Sequence, residues 1–182
     1  MRLIRSLKHS SGARTSKGLL DAKKIMLGIG LKKGDVVLDA GCGNGFFAIE
    51  AGAIIKNSGT VYAIDSSMEA HEFLRRDIAQ KNITYVRPIC ADISTGIPVD
   101  SAIIDAALLV NVLRGLADNN EEKRALKEIY RALKPGGLLG IVDAQSKLPV
   151  EDVIKVVTPY CFKLKKQFEA GPWHYCLVFN KI

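Results

Sequence analysis

Val36-Val37-Leu38-Asp39-Ala40-Gly41-Cys42-Gly43-Asn44-Gly45 is the stretch whose reading decides the fold. A short β-branched and apolar run enters a turn with glycine at alternate positions, and a helical pattern follows from Phe46. That is the signature of a buried strand that stops, turns tightly and hands over to a helix. The glycines permit positive φ and let a ligand lie directly on the backbone. The amides of the turn and of the first helical turn are expected to face that ligand as free donors. Asp39 closes the strand and sets a carboxylate at its carboxyl end, where open parallel sheets bind ligands.

On the amino side, Lys32-Lys33-Gly34-Asp35 reads as a turn. Before it a helix is expected from about Ser16, with Ser16 as N-cap and Leu19, Ala22, Met26 and Ile29 on one face. Gly28 and Gly30 are expected to end it, and it must pack over the sheet or cover its carboxyl edge. Ser10-Ser11-Gly12-Ala13 reads as loop.

On the carboxyl side, strand and helix alternate. Phe46 to Lys56 is apolar almost all round, as suits a helix wedged against a sheet. Thr60 to Asp65 is a second strand ending in a second carboxylate. Ser66 and Glu69 have capping-box spacing and open a helix to about Gln80, with Phe73, Leu74 and Ile78 inward. Ile83 to Arg87 is strand three, bounded by Asn82 and Pro88, and Asp92 follows as a third carboxylate. A buried strand is expected near Ile103–Val110, then a loop from Asn111 to Asp118. Asn119 and Glu122 cap the next helix, whose inner stripe is Leu126, Ile129 and Leu133 and which Pro135-Gly136-Gly137 stops. Leu138 to Val142 runs to Asp143; a short helix near Val150–Val157 and strands near Tyr160–Phe168 and His174–Asn180 complete the chain. The pattern predicts an α/β fold: a doubly wound, mostly parallel seven-stranded sheet in three α/β/α layers, with an antiparallel C-terminal hairpin strand at one edge. Residues 1–182 read as a single domain, with 1–34 a basic segment and helix covering the core.

Composition narrows the class. Of 182 residues, 48% are hydrophobic and 25% charged, an ordinary globular balance. Cys42, Cys90, Cys161 and Cys176 form no Cys-x-x-Cys pair, which argues against a disulfide framework or a zinc site and for a reducing cytoplasm. Cys161 and Cys176 are expected as small apolar core residues on neighbouring strands. No segment reaches the ~18 apolar residues of a membrane span, and the first residues lack the apolar middle of a signal peptide. The net charge of +7 is local: residues 1–34 hold nine Lys/Arg against Asp21 alone, and the remainder carries −1.

A nicotinamide fingerprint would place a third glycine at position 46, where Phe46 stands, so an NAD-dependent oxidoreductase is disfavoured. Asp39-x-Gly41-x-Gly43-x-Gly45 instead resembles motif I of the class I S-adenosylmethionine-dependent methyltransferases. Asp65, twenty residues beyond Gly45, takes the offset of a ribose-binding acid. Asp92 and Arg131-Ala132-Leu133-Lys134-Pro135-Gly136-Gly137 extend the likeness across roughly residues 34–180, nearest in pattern to the ubiquinone/menaquinone and arsenite methyltransferase group. The resemblance implies S-adenosylmethionine as cofactor and S-adenosylhomocysteine as product. It implies that Gly41, Cys42 and Gly43 carry the methionine moiety and that Asp39 orients the site. Asp65 would hold the ribose with Ser66 beside it, Asp92 and the Ile93 amide would read the adenine, and the backbone from Leu109 to Asn111 would approach the methionyl amine.

The sulfonium methyl is already activated, so positioning dominates and no catalytic residue is obligatory. None announces itself. Leu109-Val110-Asn111-Val112 replaces the Asp/Asn-Pro-Pro-Tyr of amine-methylating relatives, and Arg114-Gly115 stands where many small-molecule relatives have a His pair. Asp143 is a candidate to face the acceptor and Arg114 to pair an anion, with a helix-capping acid and a solvated loop arginine as the plainer readings. Tyr160 and His174 are expected in packed or surface roles, and His9 in the exposed basic arm. The leading reading is methyl transfer to a small acceptor, favoured if anionic by the basic segment. The alternatives are an RNA or protein methyltransferase docking through residues 1–34 and a non-catalytic S-adenosylmethionine-binding module. No metal is expected, and self-association into a homo-oligomer is left open.

Overall fold

A computed structural model describes residues 18–116 and 119–182, the side chain of residue 119 apart. Seven strands form one sheet: β1 (Val36–Ala40), β2 (Thr60–Asp65), β3 (Val86–Cys90), β4 (Ile104–Val110), β5 (Leu133–Ala144), β6 (Phe162–Gly171) and β7 (His174–Lys181). Their order is β3-β2-β1-β4-β5-β7-β6, with every pair from β3 through β5 parallel. The helices are α1 (Ala22–Ile29), α2 (Phe46–Ile55), α3 (Met68–Gln80), α4 (Asn119–Ala132) and α5 (Val150–Val157).

The sheet separates two apolar clusters. On one face Ile25, Met26 and Ile29 of α1, Phe47, Ala51 and Ile55 of α2 and Leu74 of α3 pack on Val37, Val61, Leu108 and Val178. On the other, Leu126 and Ile129 of α4 and Val153 and Val157 of α5 pack on Leu38, Leu109, Ile141 and Leu177. Alternate residues of one strand thus feed opposite cores, which is why the central strands read as unbroken apolar runs. The expected α/β class and mixed seven-stranded sheet are both present.

Several expectations need correction. The antiparallel strand is β7, and it is not at the edge: it lies between β5 and β6, leaving β6 as the edge strand. Helix α1 starts later than expected, with Asp21 as N-cap accepting the Lys24 amide, while Ser16 lies outside the described residues. Gly28 does not end α1 but lies within it, because a Cβ there would collide with the Phe168 ring; Gly30 alone is the left-handed C-cap. Of the two placements expected for α1 the structure has the first, over the face of the sheet, with Ile29 against Gly140. The cap of α3 is Ser67, which accepts the Ala70 amide, and not Ser66; Phe73 points outward at 53% exposure. The third strand is Val86–Cys90 and includes Pro88, which an edge strand tolerates because one row of its amides is unpaired. The Pro135-Gly136-Gly137 turn interrupts β5 instead of preceding it: Leu133 pairs with Ile104 and Leu138 with Ala106, so the residues between them loop out of the ladder. The Asn119 cap lies outside the described side chains.

Asp105, the one acid in the β4 run, has a structural use: it accepts the Val36 amide and the Lys134 ammonium. Cys161 is exposed and stands where β6 begins, well separated along the ladder from buried Cys176, which faces Phe168. All four cysteines are free. Among the described residues no helix is long and apolar enough to cross a membrane.

Candidate active site

The carboxyl edge of the parallel strands collects Asp39 at the tip of β1, Asp65 at the end of β2, Asp92 just beyond β3 and Asp143 near the end of β5. Between the first two lies the glycine turn. Gly41 and Cys42 both donate their amides to the Ile64 carbonyl, at 2.7 and 2.9 Å, and the Gly45 amide returns to Cys42. The Gly43 amide donates to Asp65 Oδ2 at 2.8 Å, and the other Asp65 oxygen accepts the Ser67 amide at 2.9 Å. Asp65 therefore ties the turn after β1 to the start of α3.

This corrects the expectation of free turn donors: the amides of Gly41, Cys42 and Gly43 are bonded to the β2 tip beneath them, and that of Gly45 closes on Cys42 within the turn. Two of the glycines also answer to the protein's own packing. A Cβ at Gly41 would lie 2.5 Å from Val112 Cγ2, and one at Gly45 would overlap Leu74 Cδ1. The turn is thus a rigid platform braced from below, with its shape fixed before any ligand arrives.

Asp39 is 2% exposed, and its Oδ2 is buried without a partner. Burial raises its pKa to about 7, the nearby Asp65 charge adds to the rise, and the Ala48 amide works against it. The Cys42 thiol is also pushed well up, by burial and then by Asp39 and Asp65, so it is a neutral neighbour and not a nucleophile. A buried acid held near neutrality with one unsatisfied oxygen is the kind of group that a cationic or donor-rich ligand completes.

The remaining expected residues are arrayed around this platform. Ser66 is exposed, and its carbonyl faces the Cys90 thiol. Asp92 is exposed and turns the chain locally, its Oδ1 accepting the Ser94 amide at 2.8 Å. Ile93 next to it is buried in the α4/α5-side core. Asn111 continues from β4 at φ 57 and donates its amide to the Val142 carbonyl, which joins the ends of β4 and β5.

Past β4 the structure joins two residues that lie far apart in the sequence. Arg114 forms an ion pair with Asp143, whose side chain is 0% exposed. Asp143 Oδ1 also accepts the Ala144 amide, while Oδ2 is buried and unpartnered. Burial raises the Asp143 pKa against the lowering pull of that amide, Arg114 and His174. Arg114 is therefore an anchored arginine and not a solvated one. His174 is half-buried opposite Ala144, at the start of β7. Its direction was not legible, because a lone histidine after a Gly-Pro turn carries no periodicity. Tyr160 lies in the short turn before β6, and His9 is outside the described residues. A cleft of 380 Å³ lined by His71, Arg75, Ile78, Ala79, Ile83 and Pro88 lies between α3 and β3 and includes none of the acids.

A doubly wound sheet with acids at its carboxyl tips around a braced glycine turn defines a Rossmann-like cofactor-binding protein. A methyltransferase domain family model matches residues 37–137. The chain is 33% identical over 120 residues to the chloroplastic 2-phytyl-1,4-beta-naphthoquinone methyltransferase of Arabidopsis thaliana, covering 63% of this chain and 43% of that protein. It is 28% identical over 146 residues to the demethylmenaquinone methyltransferase of Lactobacillus johnsonii, covering 80% and 58%. The chain thus spans about half the length of these curated relatives. The crystal structure of a SAM-dependent methyltransferase from Aquifex aeolicus superposes with a TM-score of 0.83 at 22% identity, covering 98% of each chain. The chain belongs to the class I S-adenosylmethionine-dependent methyltransferases, and S-adenosylmethionine is the family's cofactor.

Proposed function

We propose that this chain transfers the methyl group of S-adenosylmethionine to a small hydroxylated aromatic acceptor, a naphthoquinol being the nearest chemistry. The observation that carries the cofactor half is the buried, unpartnered Asp39 oxygen beside the Asp65-braced turn. Asp39 orients the methionyl ammonium over Gly41, Cys42 and Gly43, Asp65 holds the ribose beside Ser66, Asp92 and Ile93 meet the adenine, and Asn111 borders the methionyl end. An ammonium near Asp39 favours its ionised form, so the raised pKa falls when that partner arrives. The bound cofactor supplies an activated methyl group; the chain's share is to hold the acceptor in line and exclude water, which positioning alone makes worth about 7–11 kcal/mol.

The acceptor half draws on the two curated relatives, whose names are those of quinone methyltransferases. The +8 charge of residues 1–34 would draw in an acceptor carrying negative charge. The test is release of S-adenosylhomocysteine on incubation with S-adenosylmethionine and 1,4-naphthoquinol, with the product one methyl heavier. Tight cofactor binding with no turnover on naphthoquinol or on a metabolite extract would leave a binding module instead.

A further inference from the structure

Helix α1 and the β6–β7 turn beside it leave three large apolar residues in the open: Leu19 at 41% exposure, Leu27 at 53% and Trp173 at 67%. Helix and turn meet at a cleft with Leu19, Lys24, Gly171 and Pro172 in its lining, and a Cβ on Gly171 would lie 2.6 Å from the Leu19 carbonyl. Lysines flank these residues. Lys23 and Lys24 are exposed one turn before Leu27, where side chains three and four apart are neighbours. On the edge strand β6, Lys163, Lys165 and Lys166 are exposed. Lys166 Nζ lies 6.0 Å from the centre of the Phe168 ring, which fills the space over Gly28 of α1. Asp21 at the start of α1 and Glu169 of β6 are the acids set against them, yet none of the five lysines enters an ion pair among the described residues. The chain before Gly18 adds Arg2, Arg5, Lys8, Arg14 and Lys17 and no acid, with Leu3, Ile4 and Leu7 between the first three.

Lysines on an edge strand refuse pairing with another strand, but that does not account for Trp173 and Leu27 left to water. Exposed tryptophan and leucine flanked by lysines match the interface of an anionic bilayer, with apolar groups at headgroup depth and ammoniums on the phosphates. Nucleic acid would ask for several stacking rings among the lysines. Trp173 is the one exposed ring beside them among the described residues, since Phe73 lies on α3 over β2 and β3. We propose, resting on the reading of the acceptor as an apolar quinol, that Leu19, Leu27, Trp173 and the lysines of α1 and β6 form a docking surface for an anionic lipid bilayer. His174 pairs with Ala144, so the β6–β7 turn lies at the same edge of the sheet as Asp39, Asp65 and Asp143. Docking there sets the cofactor edge of the sheet at the layer in which an apolar acceptor dissolves.

Trp173 is the chain's one tryptophan, so its emission reports on this surface alone. The full chain is mixed with vesicles of phosphatidylglycerol and phosphatidylcholine, and separately with vesicles of phosphatidylcholine. It should sediment with the first and not the second, its emission should move to shorter wavelength, and about 0.5 M salt should release it. Lys165→Gln combined with Lys166→Gln should weaken partition about 25-fold, at about fivefold for each lysine near the surface, with the wild-type affinity for S-adenosylhomocysteine kept. Absence of sedimentation overturns the proposal, as does a double variant that partitions like the wild type. Sedimentation with unshifted emission also overturns it, because the vesicle would then be held by the residues before Gly18 alone. Emission quenched by oligouridylate, with no binding to vesicles, would assign the surface to RNA instead. Naphthoquinol turnover without vesicle binding would sink the docking surface and leave the proposed function standing. Vesicle binding without turnover would do the reverse.

Discussion

Replacing Asp39 by Asn should make the cofactor-free protein more stable and less able to bind, and the size of the gain depends on pH. Asp39 shifts from 3.8 to about 7 because its charge is buried. Each unit is about 1.4 kcal/mol, so ionised Asp39 costs the folded state about 4 kcal/mol. Below the unfolded pKa both states hold the proton, and there is no penalty. Between about pH 4 and pH 7 only the unfolded chain releases it, so stability declines as pH rises; above 7 the whole penalty is in place. Urea denaturation of the cofactor-free protein from pH 4 to 8.5 should show this decline in the wild type and a flatter profile in Asp39→Asn. The two should match near pH 4, with the variant ahead by up to about 4 kcal/mol at pH 8.5. Calorimetry should at the same time show weaker S-adenosylmethionine binding by the variant, which lacks the charge proposed to meet the ammonium. Superimposable pH profiles, or a variant less stable at pH 8.5, would refute the claim that Asp39 is an unpaired buried acid.

Gly45→Ala places a Cβ against Leu74 at φ +80, and a loss of about 1–3 kcal/mol is expected with or without cofactor; pairing it with Leu74→Ala should recover part, and strict additivity in thermal melts would argue against the contact. Asp65→Ala strips the Gly43 and Ser67 amides of their acceptor, so stability should fall by about 1–3 kcal/mol along with cofactor affinity; a change in affinity alone would mean the brace contributes nothing. Arg114→Met leaves Asp143 buried without its cation and should cost about 2–3 kcal/mol at pH 8, the low side for such a pair because a third of the arginine meets solvent. Since burial already raises the Asp143 carboxyl above its usual range, that loss should shrink as acid protonates it; a denaturation series showing the same loss at every pH down through the carboxylate range would contradict this.

Strand tips were the most legible part of the chain. Asp39, Asp65 and Asp143 each close a run of β-branched and apolar residues, and all three lie on the same edge. Contacts between distant segments were not legible. Nothing local in Gly28 shows that Phe168 needs its space, and nothing in Arg114 shows that Asp143, twenty-nine residues on, will hold it. The free-donor reading of the glycine turn failed for the same reason: the Ile64 carbonyl and the Asp65 carboxylate that occupy its amides arrive from another strand. The place of β7 was also hidden, since a hairpin signal fixes that two strands pair but not which of them meets the rest of the sheet.

That placement matters when the chain is made on a ribosome. The last of the seven strands in chain order fills the next-to-last position in the sheet, pairing Leu138–Ala144 on one side and Phe162–Gly171 on the other. Until residues 174–181 leave the exit tunnel, β6 has no neighbour to zip onto and one long side of β5 stays open. A nick at Gly171 would therefore strand two β-segments at once, and nascent chains caught at that point would be the ones most in need of a chaperone.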